Sequence, residues 1–256
     1  MSGAAARARP SPSDPACAAF DAAGNRVVWV RRAAAPGDAA AARSLLGTSP
    51  DPGAEILAVL GLEGRRPRAW FYNPDGSPER LCGNALRCLA AFVGADRAQR
   101  VLAWTALGAA ASWVDARGVA WAAIPRAPLA VSEHAGFHLV DVGTPHRVAC
   151  VADVTAPEVS ALGRRLSAGA DAVNATFFTP EGRTALRVRT LERGVLAETG
   201  SCGTGAIAAY LAALAATPRA LADRITARFP SGEVLEVRAL GWGRWLAVGG
   251  RARRTR

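Results

Sequence analysis

From Val27 onward the chain is broken into short runs of β-branched and aromatic residues. Val27-Val28-Trp29-Val30, Ile56-Leu57-Ala58-Val59 and Trp70-Phe71-Tyr72 are each bounded by Gly, Pro or Asp clusters. Runs of that length, closed by residues that turn the backbone, predict β-strands. Helical stretches are fewer: Gly83 to Val93, Glu158 to Leu166, and Gly203 to Ala216, the last rich in Ala and Leu and followed by Pro218. Proline has no N–H to continue the helical ladder, so it marks a stop. The pattern predicts an α+β fold with more strand than helix. Met1 to Pro15 mixes Ala, Arg, Pro and Ser without hydrophobic period, which predicts a disordered extension over residues 1–18.

A search for internal similarity finds one. Cys82-Gly83-Asn84-Ala85-Leu86-Arg87-Cys88-Leu89-Ala90-Ala91-Phe92 is similar to Cys202-Gly203-Thr204-Gly205-Ala206-Ile207-Ala208-Ala209-Tyr210, 120 positions further on. Each copy reads as a Cys-Gly turn opening a helix of small residues, with strand-like sequence before it and after it, through 101–124 and 225–248. Two pseudo-symmetric lobes follow, 19–126 with the first Cys and 127–250 with the second, and a basic tail over 251–256.

Composition narrows the functional classes. With 256 residues, 50% of them hydrophobic and 20% charged, the chain can bury one large core or two modest ones. Its longest apolar stretch, Ala206 to Ala216, is shorter than the ~20 residues of a membrane span. No apolar run follows Arg7 and Arg9 as a signal peptide would require, so the expectation is a soluble cytoplasmic protein with no membrane partner. Half of the formal net charge of +10 lies on the first 18 residues and on Arg251, Arg253, Arg254 and Arg256. The rest is dispersed, with no basic run interleaved with aromatics, which argues against a nucleic-acid partner. All 31 cationic side chains are Arg. Without Lys there is no Schiff base for pyridoxal phosphate and no Walker-type phosphate loop. The five cysteines show neither CxxC spacing nor zinc-finger pairing with the three histidines. No metal site is expected, and free thiols in a reducing compartment are.

The two Cys-Gly helix starts carry the chemistry. A cysteine just before a helix sits where unsatisfied backbone N–H groups and the positive end of the macrodipole converge, which stabilises thiolate. The glycine behind it lets the backbone come close to a ligand, so one turn can supply both an anion cradle and a base. Two such turns facing one another would place a thiolate on one side of a substrate carbon and a thiol on the other, the requirement for inverting a stereocentre by two bases.

At these residues the sequence resembles diaminopimelate epimerase and the wider group of pyridoxal-phosphate-independent amino-acid racemases. The resemblance rests on Asn73-Pro74-Asp75-Gly76-Ser77 leading into Leu81-Cys82-Gly83-Asn84-Ala85-Leu86-Arg87, and on Leu191 through Gly205 with Glu192-Arg193-Gly194 and Cys202-Gly203-Thr204-Gly205. Gly24-Asn25 and Val142-Gly143-Thr144-Pro145-His146 are weaker echoes. The resemblance implies two lobes, each a mixed curled sheet around a central helix. It implies inversion of an amino-acid α-carbon without a cofactor, on a small-molecule amino-acid substrate, and leaves a homodimer open. By position it implies Cys82 and Cys202 as the base and acid pair, with Gly83, Asn84, Gly203 and Thr204 donating to the reacting carboxylate. Asn73, Asn174, Glu192 and Arg193 fall on positions that hold the distal amino and carboxylate groups, and Asn25 on one beside the reacting amino group. The sequence departs from the family pattern at Arg26, where Asp is usual, at Glu55 (Gln), Ala85 (Gly) and Thr144 (Asn). These changes leave diaminopimelate and a cationic or secondary-metabolite amino acid both open as substrates. A sister proton-shuttling isomerase or a binding protein on the same scaffold is the alternative activity.

Simpler readings stand beside these. Cys17, Cys88 and Cys150 read as core thiols, Glu192-Arg193 as an exposed ion pair, the seven Trp as core and interface, and His134, His138 and His146 as surface or loop residues.

Overall fold

The computed structural model describes residues 16–125, 131–134, 136–168, 173–193, 198–216, 221–241 and 245–255. The expected extension over residues 1–18 therefore lies mostly outside the described residues, as does most of the expected lobe boundary at 126–127. The chain divides into two compact units. The first runs to Ile124 and takes in Gly249–Arg256, and the second is Pro125–Val248.

The first unit is built from β1 (Cys17–Asp21), β2 (Arg26–Arg31), α1 (Ala39–Gly47), β3 (Ile56–Glu63), β4 (Arg66–Tyr72), the two-residue β5 (Pro78–Glu79), α2 (Gly83–Phe92), β6 (Val101–Thr105), β7 (Gly108–Val114) and β8 (Ala120–Pro125). β1 and β2 form an antiparallel hairpin, β2 and β3 pair in parallel, β3 and β4 antiparallel, β4 and β6 in parallel, and β6 and β7 antiparallel. The second unit contains β9 (Val131–His134), β10 (Phe137–Asp141), β11 (Pro145–Cys150), α3 (Pro157–Ser167), β12 (Asn174–Pro180), β13 (Ala185–Leu191), α4 (Gly203–Ala216), β14 (Arg224–Arg228), β15 (Val234–Leu240) and most of β16 (Trp245–Gly250). From β10 to β15 its pairings run antiparallel, parallel, antiparallel, parallel, antiparallel, the same series as from β1 to β7. The similarity of the two Cys-Gly segments is thus one element of a repeated topology, with α1 and α3 in equivalent crossovers and α2 and α4 in the next.

Each long helix is central to its unit. In α2 every residue except Ala91 is buried, and Trp29 of β2 stacks on Phe92 at 5.6 Å, meets Phe71 edge-on at 6.0 Å and donates from Nε1 to the Ala85 carbonyl at 2.9 Å. A fully buried large side chain of this kind contributes about 1.5–3 kcal/mol, and the indole donor leaves no polar cost behind. α4 is buried from Gly203 through Ala213. A helix apolar on all sides belongs in a core, which is why an Ala-Leu run too short for a membrane forms one here. Among the described residues no helix is long and apolar enough to cross a membrane.

Two features differ from the expected boundaries. β1 starts at Cys17, inside the expected extension, and part of the expected basic tail is a strand. β17 (Arg253–Arg254) pairs antiparallel with β1, placing Arg254 opposite Phe20, while Arg251 Nη2 meets Asp21 Oδ1 at 3.2 Å. The free edge of β1 accepts backbone from any sequence that can extend, and exposed arginines satisfy that while keeping their charges in water. The structure also adds α1, capped by Asp38 Oδ1 accepting from Ala41 N at 2.8 Å. An Asp ahead of an Ala-rich run is a start signal present in the sequence.

Candidate active site

In the first unit Cys82 is the N-cap residue of α2, with extended backbone (φ −133°, ψ 109°). Its Sγ accepts from Ala85 N at 3.4 Å, and its carbonyl accepts the first helical bond from Leu86 N at 3.0 Å. The sulfur thus does what a Ser or Asp oxygen does at an N-cap, and a thiolate does it better because the donor and the macrodipole both favour negative charge. Cys82 is half-buried, with Gly83 and Asn84 buried behind it. Asn84 is held by Arg87, which is wholly buried: its Nη2 donates to Asn84 Oδ1 at 2.7 Å and to the Ala22 carbonyl at 3.0 Å, and its Nη1 to the Arg251 carbonyl at 3.1 Å. Arg87 therefore ties the start of α2 to the β1–β2 turn and to the C-terminal segment.

That turn carries Asn25. Ala23 and Gly24 both have positive φ, 53° and 81°, and Ala22 N donates to the Asn25 carbonyl at 2.8 Å, which makes a two-residue hairpin turn of the kind whose twist suits antiparallel strands. Asn25 is buried and its Nδ2 donates to the Ala22 and Ala23 carbonyls at 3.4 and 3.3 Å. Asn73 lies at the end of β4 in a second turn, where its Nδ2 donates to Ser77 Oγ at 3.0 Å and Glu79 Oε1 at 3.1 Å. Glu55 accepts from Arg26 N at 2.9 Å, so part of its carboxylate is spent on the backbone, and burial pushes its pKa upward.

The second unit repeats the motif. Cys202 precedes α4, its Sγ accepts from Gly205 N at 3.3 Å, and its carbonyl accepts from Ala206 N at 2.9 Å. Unlike Cys82 it is buried, and it has a hydroxyl beside it: Thr204 Oγ1 lies 3.4 Å from Sγ. Gly205 leaves no room for a side chain, because a Cβ would collide with Thr190 Oγ1. In the first unit Ala85 occupies the equivalent place, fully buried.

Behind Thr204 stands His146. The sequence predicts it at the surface or in a loop, but it is fully buried in β11 among threonines. Its Nε2 lies 3.2 Å from both Thr144 Oγ1 and Thr204 Oγ1, its Nδ1 2.9 Å from Thr176 Oγ1, and Thr176 Oγ1 3.1 Å from Thr190 Oγ1. Three hydroxyls against its two ring nitrogens make burial of the imidazole tolerable, and that burial pushes its pKa down to about 3, so it stays neutral. Cys150 also departs from expectation, being exposed, whereas Cys88 is buried and its thiol is pushed up to about 12.

Of the residues expected at the distal end of a substrate, Asn174, Glu192 and Arg193 lie in this unit and Asn73 in the first. Asn174, opposite His146 in the parallel β11–β12 register, accepts from Arg193 N at 2.8 Å through Oδ1. Glu192 Oε1 accepts from Thr199 Oγ1 at 2.5 Å. Both Glu192 and Arg193 are half-buried, which differs from an exposed surface pair. Arg87, His146, Thr176 and Thr190 were not singled out as site residues from the sequence. For Arg87 the signal was its place in the first Cys-Gly segment, and for His146 the turn before it.

Two α+β units, each opening its central helix on a sulfur-capped turn, define the class of scaffold. Solved structures share it. A PhzF-family phenazine biosynthesis protein from Enterococcus faecalis superposes with a TM-score of 0.65 at 14% identity, covering 94% of this chain and 96% of that one. A hydroxyproline epimerase from Agrobacterium vitis, with bound trans-4-hydroxy-L-proline, gives 0.61 at 17%, covering 94% and 90%. At these identities the likeness is one of fold. In sequence, the family model described as diaminopimelate epimerase matches residues 138–239. Diaminopimelate epimerases from Xanthomonas oryzae pv. oryzae and Rhizorhabdus wittichii are each 32% identical, over 72% and 74% of this chain and 74% and 76% of theirs. That of Zymomonas mobilis is also 32% identical, over 56% of this chain and 59% of its own length. The chain belongs to the diaminopimelate epimerase family.

Proposed function

We propose that this family member is an isomerase that inverts the α-carbon of an amino acid with two thiols and no cofactor, Cys82 and Cys202 exchanging the roles of thiolate base and thiol acid. The observation that carries this reading is the duplicated geometry: at both helix starts the sulfur accepts the N–H three residues on, at 3.4 and 3.3 Å, in equivalent places of a repeated topology. An ordinary buried thiol has no reason to recur at two helix N-termini with a glycine behind each. Deprotonating an α-carbon puts charge on the carboxylate, and the first-turn N–H groups after Cys82 and Cys202, which a helix does not satisfy from within, are the donors to meet it. The absence of lysine from the chain fits a route that needs no Schiff base.

As substrate, diaminopimelate or a close analogue ranks first. Asn174 holds the Arg193 backbone N–H, and an Arg next to Glu192 in the chain supplies both charges for a distal group that itself carries both. A cationic amino acid ranks second, because Glu55, the residue that would favour it, already accepts a backbone N–H.

In deuterated water the wild-type protein exchanges the α-proton of LL-diaminopimelate with inversion, and Cys82→Ser and Cys202→Ser each lower racemisation by about a thousandfold or more. Racemisation that survives loss of both thiols overturns the mechanism. Turnover of lysine, arginine, histidine or glutamate at ten times that of diaminopimelate overturns the order of substrates, a difference of about 1.4 kcal/mol in transition-state stabilisation.

A further inference from the structure

The two helix starts share a sulfur geometry but differ in what stands beside the sulfur. Asn84 turns its amide oxygen to Arg87, whereas Thr204 lies between Cys202 and a buried histidine. A neutral imidazole nitrogen without its proton offers one lone pair in the ring plane, and at His146 Nε2 two hydroxyls, Thr144 and Thr204, stand at the same 3.2 Å. With the ring proton on Nδ1, which lies 2.9 Å from Thr176 Oγ1 and can donate to it, Nε2 is the acceptor that both hydroxyls face. Nε2 then accepts from one hydroxyl at a time. Thr204 has a second acceptor available in Cys202 Sγ at 3.4 Å.

Building on the two-thiol reading, we propose that Thr144, His146 and Thr204 form a hydrogen-bond exchange that follows the protonation of Cys202, with Thr144 and His146 as positioning residues acting through Thr204. With Cys202 as thiol, S–H donates to Thr204 Oγ1 and the Thr204 hydroxyl donates to His146 Nε2. When the thiol gives its proton to the substrate carbon, the Thr204 hydroxyl turns to donate to the thiolate, and Thr144 takes its place on Nε2. His146 Nε2 keeps a donor in either state, and no proton passes through the imidazole. Leaving Nε2 without a donor would disfavour the thiolate, since an unsatisfied buried polar atom is costly. A threonine at 144, where the family usually has an asparagine, supplies a hydroxyl able to take that place.

The test reads each thiolate directly, by rate of alkylation with iodoacetamide across a pH series, resolved by peptide mass spectrometry. Cys82 in the same molecule is the control. Thr204→Val slows Cys202 alkylation below its midpoint by about tenfold and Thr204→Ser restores it, as loss and return of a hydroxyl donor to a charged acceptor require. Thr144→Val, at a residue for which no bond to the sulfur is seen, slows Cys202 by about two- to fivefold through Thr204, and Thr144→Ser restores it. Added to Thr204→Val, the Thr144 change has no further effect. Cys82 rates stay unchanged throughout. An unshifted Cys202 in Thr144→Val, or a Thr144 effect that persists in the Thr204→Val background, overturns the exchange. If Thr204→Val does not fold, the Thr144→Val and Thr144→Ser pair decides alone. Because alkylation requires no turnover, these results stand apart from the serine variants: racemisation without either thiol would remove the mechanism while leaving the measured coupling intact.

Discussion

Replacing Arg87 with methionine keeps most of the side chain's apolar length and withdraws its guanidinium. What is lost includes the hydrogen bonds to the Ala22 carbonyl at 3.0 Å, the Arg251 carbonyl at 3.1 Å and Asn84 Oδ1 at 2.7 Å, all at a residue with no exposed surface. A hydrogen bond from a charged donor is worth about 1.5–3 kcal/mol, and some of that is returned because a buried charge no longer has to be kept from water. A net loss of about 3 kcal/mol follows, more than a surface arginine could contribute. For a chain of this size each kcal/mol moves the melting temperature by roughly 2–4 °C, so Arg87→Met melts about 6–12 °C below the wild type in a thermal scan. The loss has an address. Hydrogen exchange at residues 22–25 and at 251–255 rises, while β12 and β13 in the other unit keep their protection. Arg87→Lys recovers little, since one ammonium does not reproduce the planar fork that reaches three oxygens. A melting shift under 2 °C, or exchange that rises equally in both units, refutes the view that this guanidinium is the tie.

Four further outcomes follow from the geometry. Gly205→Ala destabilises by about 1–3 kcal/mol in urea unfolding, because its Cβ meets Thr190 Oγ1, whereas Ala85→Gly in the equivalent place costs at most about 1 kcal/mol; equal losses would contradict the packing. His146 has its folded pKa depressed to about 3 from 6.5, so its contribution to stability is complete above pH 6.5 and falls away as the unfolded chain takes up the proton. Between pH 6.5 and 5 the wild type therefore loses stability faster than His146→Gln by about 1.4 kcal/mol per pH unit at most, and parallel slopes would show that the ring is not buried neutral. Exposed Cys150 is alkylated by iodoacetamide at pH 8 while Cys88, buried with its thiol pushed up to about 12, is spared until the protein unfolds; early labelling of Cys88 would contradict its place in the core. Glu198→Gln lowers stability by about 1 kcal/mol, since Arg189 grips that carboxylate at 3.0 and 2.7 Å, and no change would place the pair among surface contacts of no consequence.

The amino-acid sequence by itself determined the elements whose information is local. Strand runs ending in turn residues, an Ala-Leu helix stopped before Pro218, and two Cys-Gly segments 120 positions apart were enough for the α+β class, the duplication and the two sulfurs. Capping explains why: an N-cap is decided within four residues, so Cys82 with Ala85 and Cys202 with Gly205 could be read from spacing alone. Only the tertiary structure decided what surrounds them. His146 looked like a loop residue because, beyond Thr144 in the turn just before it, the hydroxyls that let it be buried come from Thr176 and Thr204, 30 and 58 residues away, on a strand and a helix that no short window contains. The C-terminal arginines looked like a charged tail because the open edge of β1 that they pair with lies at the other end of the chain. Arg87 looked like one more cation in a basic protein, until the carbonyls of Ala22 and Arg251 came within reach of it. A buried polar group is stable only with partners, and those partners belong to the fold as a whole.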